Sequence, residues 1–300
     1  MSPSADLLAA VEFQSNWLQV LQTSFMQHAF LGGTMVAVAA GLMGWFVITR
    51  QNAFAAHALA HIGFPGATGA ILIGAPVTLG LAVFCVGGGL LIGLFGSRGA
   101  DREVATGTVL AAATGLGVLF ASLAAANASA TTNVLFGNLL AISSGQLWVF
   151  GGFTALVVVA LAVLARPLVF ASVDPAVAEA RGVPVRALGI AFVVLLALTI
   201  TMAVQVVGTL LLFALVVTPA AAALRLTARP GAVAGLAVVF AVASVWTGLL
   251  LAAMVDLPPS FFVVAVATLI WGTSLATTRE RTRTRPVAPD DHPLVPERTA

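Results

Sequence analysis

Nine apolar runs, most of them separated by polar stretches, occupy most of this chain. Most of them approach or exceed the roughly 20 residues that a helix needs to cross a bilayer. Hydrophobic residues make up 60% of the sequence and charged residues only 8%, against about 25% charged residues in a typical soluble domain. The sequence therefore predicts an all-α polytopic membrane protein with eight to nine transmembrane helices, some of them broken. The runs cover residues 25–49, 51–75, 77–95, 104–126, 147–165, 187–207, 208–224, 232–255 and 261–275.

The positive charges predict how these helices are oriented. All of them are arginine, and most fall in alternate connections, at Arg50, in 96–103, in 166–186 and in 225–229. Because cytoplasmic loops carry an excess of arginine and lysine, these connections are placed inside the cell. Alternation then puts the N-terminus outside and the C-terminus in the cytoplasm. The arginines are few and dispersed, so we expect no nucleic-acid partner.

The chain divides into three predicted segments. Residues 1–24 are polar and mixed and form an extracytoplasmic N-terminal segment. Residues 25–276 form the transmembrane domain. Residues 277–300 are charged and rich in proline, which predicts a disordered cytoplasmic tail.

Two histidines stand out within the second apolar run. His57 and His61 are four residues apart, so they share one face of a helix. Pro65 and Gly66 follow one turn later and predict a helix break there. Imidazole binds zinc and similar metals, and polar groups at membrane depth tend to mark a pathway. The pair is a candidate metal pathway or gate, with helix packing as the plainer alternative.

The sequence lacks residues that three other functions would need: those of a zinc protease, of a carboxylate-driven transporter and of an ATPase. The spacing of His57 and His61 is that of an HExxH zinc-protease motif, but Ala58 stands where the glutamate base is needed. No apolar run has an acidic residue at its centre, which argues against a carboxylate-driven ion-coupled transporter. There is no P-loop and no lysine, so the chain has no ATPase motif of its own. We expect a transport subunit without enzymatic activity or a permanently bound cofactor.

The connection at 166–186 predicts a short cytoplasmic helix. Asp174 precedes Pro175, the favoured order of an N-cap and a first helical residue. Gly182 ends the helix, and Pro184 prevents its continuation. This helix is either an ordinary connection or a docking helix for a cytosolic partner.

Four sequence elements, in order, resemble the integral-membrane permeases of zinc/manganese-type ABC importers. They are His61-Ile-Gly-Phe-Pro-Gly66, Leu135-Phe-Gly-Asn-Leu-Leu-Ala-Ile-Ser143, Asp174-Pro175 through Gly182-Val183, and Gly208-Thr-Leu-Leu211 through Pro219-Ala-Ala-Ala222. The resemblance extends over about residues 25–276. It implies the permease subunit of an ATP-driven importer that moves a divalent metal ion across the bacterial cytoplasmic membrane by alternating access.

The resemblance also implies partners and site residues. It implies a homodimer with the path at the dimer interface, an extracytoplasmic metal-binding protein and a cytosolic ABC ATPase. The ATPase would hydrolyse ATP and couple through Asp174, Glu179 and Gly182. The family commonly has aspartate where this chain has His57, and replacing that negative charge by imidazole favours zinc over manganese. The alternatives are an ABC permease for a metal chelate or vitamin, and a histidine-based secondary metal transporter.

Overall fold

The computed structural model describes residues 17–95, 99–124, 128–255 and 257–283. Within these ranges the chain forms twelve α-helices and one 3-10 turn, and no strand. The prediction of an all-α protein is therefore confirmed. The helices are α1 Trp17–Leu21, α2 Ser24–Thr49, α3 Ala53–Ile73, α4 Val77–Phe95, α5 Gly99–Leu123, α6 Ala128–Phe136, α7 Ser144–Val173, α8 Pro175–Ala180, α9 Val185–Val216, α10 Thr218–Leu226, α11 Pro230–Val255 and α12 Pro259–Arg283; the 3-10 turn is Leu139–Ala141.

Eight stretches of the described chain are long and apolar enough to cross a membrane. One of them, Val185–Leu226, has 42 residues. A straight helix of that length would measure about 63 Å, twice the roughly 30 Å hydrocarbon core of a bilayer. It cannot be one straight crossing, and Gly208 interrupts it with φ 83° and ψ 168°.

The contacts of Val185–Leu226 show that the chain reverses at Gly208. Phe192 lies under the guanidinium of Arg50, which is 4.9 Å from its ring centroid, at one end of the bundle. Gly208 packs against the segment that joins α6 to the 3-10 turn, at the other end. Val216 then lies against Gly44, back towards the Arg50 end of α2. Residues 185–207 form a first arm, and residues 209–226 form a return arm.

These contacts define two ends of the bundle. The arginine end carries Arg50, the start of the first arm, and Arg225 and Arg229 at the end of the return arm. The loop end carries residues 128–146 and the start of α2. Arg50, Arg186, Arg225 and Arg229, which the sequence assigns to connections on one side, are thus gathered at one end.

Gly137 and Gly208 bring two of the family-like elements into contact. Both have positive φ, 76° and 83°, and a Cβ on either would collide with the backbone of the other segment. The backbone N–H of Asn138 donates to the carbonyl of Gln205 at 3.2 Å. The segment 128–143, which follows the fourth apolar run, therefore contains α6 and the 3-10 turn, and it fits into the bend between the two arms.

The predicted break at Pro65–Gly66 is wrong. The helix α3 runs without interruption from Ala53 to Ile73, with Pro65 inside it. The hydroxyl of Thr68 donates to the carbonyl of Phe64 at 3.0 Å, and Pro65 and Gly66 are buried. Gly66 lies against the backbone of Gly80 on α4, a close approach typical of helix pairs in membranes. Proline is tolerated here because tertiary packing holds both sides of the turn.

Several helices are longer than the apolar runs predict. Helix α5 begins at Gly99 and α7 extends to Val173, so the polar connections before and after them are shorter than expected. Helix α12 continues to Arg283, which places residues 277–283 of the predicted tail in a helix. Residues 284–300 lie outside the described residues. A capping box begins α7: the Ser143 backbone N–H donates to the Gln146 side chain at 2.9 Å.

The predicted short helix is present at residues 175–180. Asp174 caps it by accepting a hydrogen bond from the backbone N–H of Val177 at 3.0 Å, and Pro175 is its first residue. Gly182 has φ 79°, and its N–H closes the turn onto Glu179 at 2.9 Å. The local sequence signals for this helix are therefore confirmed.

Candidate functional site

The histidine pair lies on α3, in the part of the helix that is nearer the arginine end. The ring centroids of His57 and His61 are 4.8 Å apart, and the ring planes meet at 77°. Both side chains are half-buried. The expected placement on one helix face is therefore found, with the two imidazoles in contact.

His57 has a free coordinating atom. Its Nδ1 is buried and neither accepts nor donates a hydrogen bond. It is one of three buried side-chain nitrogen or oxygen atoms without a hydrogen-bond partner among the described residues. A buried polar atom without a partner costs free energy and calls for an explanation. A lone pair on imidazole nitrogen is a common metal ligand, so this atom fits transient metal binding.

The return arm forms a wall beside the pair. The ring centroid of Phe213 is 6.3 Å from that of His57. Phe213 is 42% exposed and Leu210, one turn before it, is 47% exposed. The two histidines and these two side chains therefore lie on a surface that the single chain does not cover.

A single chain does not complete a metal site at the pair. Among the described residues, no group of three histidine, cysteine, aspartate or glutamate side chains is close enough to hold a metal ion. Two imidazoles leave at least two positions of a tetrahedral ion open. Pro65 and Gly66, expected beside the pathway as a helix break, instead serve the packing of α3 on α4.

A second polar cluster lies at the loop end. The hydroxyl of Thr78 donates to Oε1 of Gln205 at 2.8 Å, and Nε2 of Gln146 donates to the same oxygen at 3.1 Å. These bonds join α4, α7 and the first arm. His28 is nearby, with its Nδ1 3.3 Å from the carbonyl oxygen of Ile142.

The sequence interpretation missed this cluster. Gln205 is the available signal, because it lies at the end of an otherwise apolar run and a polar side chain there needs a partner. Its partners come from two distant segments, so the pattern of one helix does not reveal them.

The short helix α8 is presented to solvent. Asp174, Val177, Glu179 and Gly182 are exposed, whereas Ala178 is buried against the bundle. Val183 N–H donates to the carbonyl of Ala178 at 3.0 Å, which fixes the end of the helix. The structure thus places all three predicted coupling residues on one accessible element.

Comparison with known proteins gives consistent matches over nearly the whole chain. A model of the ABC 3 transport family matches residues 22–278. A relative from Halalkalibacterium halodurans, named manganese transport system membrane protein MntC, is 32% identical over 84% of this chain and 87% of its own length. A relative from Streptococcus parasanguinis, named manganese import system permease protein ScaB, is 31% identical over 67% of this chain and 72% of its own.

Solved structures share the fold. PsaBC from Streptococcus pneumoniae, in complex with a Fab, superposes with a TM-score of 0.80 at 24% identity, covering 90% of this chain and 99% of the other. A transporter described as of the metal-chelate ABC type, in an inward-facing conformation, gives a TM-score of 0.68 at 17% identity over 87% and 88% of the two chains. At these identities the likeness concerns architecture alone.

Proposed function

The chain belongs to the ABC 3 transport family, and we propose that it is the membrane permease of an ATP-driven importer of divalent metal ions. The observation that carries this proposal is the contacting pair His57 and His61 with its unpartnered Nδ1. A metal-ligating pair inside a polytopic helix bundle gives a metal ion a place to stop within the membrane.

Two copies of the chain would complete the metal site. The half-exposed pair and the exposed Phe213 and Leu210 are available to a partner subunit. If a second copy faces the first across a two-fold axis, the path contains four imidazoles, enough for a tetrahedral ion. We therefore propose a homodimer with the path at its interface.

Manganese is the cargo that the relatives favour. Both relatives described above carry manganese in their names. The zinc preference inferred from His57 rests on ligand chemistry alone, since nitrogen ligands suit zinc better than manganese, and the comparisons do not support it. We propose manganese as the principal cargo and zinc as the competitor that enters the same pair.

ATP hydrolysis and metal capture are assigned to partner proteins. The chain has no P-loop, so the proposal places a cytosolic ABC ATPase at α8 and an extracytoplasmic metal-binding protein at the loop end. This requires the arginine end to face the cytoplasm of a bacterial cell, as the positive-inside rule predicts. It also places residues 1–24 outside and residues after Arg283 inside.

Reconstituted uptake tests the function. The permease, its ATPase and its binding protein are assembled in liposomes, and manganese accumulation is measured with ATP or a non-hydrolysable analogue. We expect accumulation only with hydrolysable ATP. Uptake that follows a proton or sodium gradient without ATP would instead identify a secondary transporter.

Replacing Glu179 by tryptophan should separate the ATPase from an otherwise intact permease. Glu179 is exposed on α8, so the bulky ring changes the docking surface and not the core. Loss of a central contact costs a protein interface about 1.4 kcal/mol or more, which is a tenfold weaker complex. The measurement is co-purification of the ATPase, and Gly182→Trp should act in the same direction.

Gln19→Trp is the matched control for this prediction. Gln19 is also exposed, on α1 at the loop end, away from α8. It should leave co-purification unchanged. Equal ATPase recovery with all three variants would show that α8 is an ordinary connection.

A further inference from the structure

We propose that the cavity at the loop end is a second, weaker divalent-cation site, through which a partly hydrated ion passes before it reaches the histidine pair. The cavity has a volume of about 220 Å³. Four carboxamide side chains contribute to its lining: Asn133, Asn138, Gln146 and Gln205. The inference deepens the proposed function, on which it rests, by naming a site that the histidines do not form.

Two of the four amides have no bonding partner within the described chain. The carboxamide oxygen of Gln205 is engaged, because Oε1 accepts from Thr78 and Gln146, and its Nε2 donates to the carbonyl of Thr201 at 2.9 Å. No hydrogen bond from another described residue reaches the side chains of Asn133 and Asn138. Their carboxamide oxygens are the ones available to a ligand in the cavity.

The surrounding contacts hold Asn138 in place, and Asn133 lies exposed on α6 at the mouth of the cavity. Asn138 follows Gly137, whose backbone is pressed against Gly208, and its own N–H is bonded to Gln205. The capping box at Ser143 fixes Gln146 on the facing helix. A site built on such constrained segments is preorganised, so little ordering is needed when an ion enters.

The size and chemistry of the cavity fit a hydrated cation. One water needs only about 10 to 15 Å³ of cavity volume of this kind, so the cavity has room for an ion together with several waters. Amide and water oxygens are ligands that manganese, magnesium and calcium prefer. The site has no formal charge, which makes binding weak and release fast, as a conducting path requires.

One helix, α3, connects the lining of the cavity with the histidine pair. Ile71 lines the cavity and lies ten residues after His61 on α3, which is about 15 Å along the helix axis. The first arm lines the cavity with Gln205, and the return arm places Phe213 beside His57. An oxygen site at the loop end would thus precede a nitrogen site deeper in the bundle.

Manganese binding to the histidine-free chain tests the inference. The full-length chain with His57→Ala and His61→Ala is placed in lipid nanodiscs, and free Mn²⁺ is followed by its electron paramagnetic resonance signal during titration. We expect one weak site with a Kd of about 1 mM, the range of sites with few charged ligands. Calcium and magnesium should displace manganese from it.

Three further variants in that background identify the ligands. Asn133→Asp with Asn138→Asp should tighten binding about tenfold or more, because formal charge is added with little change of shape. Asn133→Leu with Asn138→Leu should remove the site, and Gln19→Leu should change nothing. Unchanged affinity in the aspartate variant, which keeps the polarity and size of the site, would overturn the inference even if the leucine variant failed to fold.

The outcome is separable from the proposed function. If the asparagine variants bind manganese as their parent does while ATP-driven uptake still requires the histidines, only the second site is excluded. If the aspartate variant binds manganese more tightly and the leucine variant does not bind it, while uptake does not require the histidines, the second site is supported and the histidine path is excluded.

Discussion

Gly208→Ala is expected to lower the free energy of unfolding by about 2 to 6 kcal/mol. The observed φ and ψ, 83° and 168°, belong to a region that only glycine occupies readily, and strain there costs about 1 to 3 kcal/mol. A Cβ would also collide with the backbone of Leu135 and Phe136, and overpacking adds about 1 to 3 kcal/mol. Equilibrium unfolding in mixed micelles measures the change.

Gly189→Ala is the matched control, on the same arm. A Cβ at Gly189 meets nothing within 4 Å, and alanine is the better helix former by about 1 kcal/mol. This variant should be as stable as the parent or more stable. Equal stability of the two variants would mean that the chain does not reverse at Gly208 as described.

Replacing both His57 and His61 by alanine reduces ATP-driven manganese uptake at least about tenfold, since even the loss of a residue that only supports a metal ligand costs 10- to 100-fold. Both are half-buried, and alanine is the best helix former, so the bundle remains folded. The ATPase should still co-purify, because α8 lies elsewhere. Uptake of radioactive manganese into liposomes is the readout.

Two other substitutions sharpen this result. His28→Gln removes an imidazole at the loop end while keeping a donor for the carbonyl of Ile142, and uptake should change little. His57→Asp restores the carboxylate typical of the family, so manganese uptake should persist and zinc should compete less well. A double alanine variant that transports normally would exclude the pair from the path.

The sequence predicts those elements that depend on residues close together in the chain, such as helix caps and apolar runs. The apolar runs gave the membrane helices, and Asp174, Pro175 and Gly182 gave the short helix. The apolar runs 187–207 and 208–224 predict two membrane helices that meet at residues 207 and 208, and the helix is interrupted there, at Gly208. Contacting imidazoles followed from a spacing of four residues.

Tertiary packing decided what the sequence did not predict. The low helix propensity of proline predicts a break at Pro65. The helix is nevertheless uninterrupted there, and Gly66 packs tightly on Gly80 of the neighbouring helix. The contact between Gly137 and Gly208 joins segments about 70 residues apart, a separation over which no periodicity operates. The same holds for the bonds of Gln205 to Thr78 and Gln146.

The most direct test of the histidine path is to detect the nitrogen ligands on manganese itself. The assembled importer is trapped with Mn²⁺ during turnover, and pulsed electron paramagnetic resonance records hyperfine coupling between the ion and nearby nitrogen. A metal path through the histidine pair predicts imidazole nitrogen coupling that disappears in the His57→Ala, His61→Ala variant and persists in His28→Gln. Manganese trapped in the transporting complex without any nitrogen coupling would contradict it.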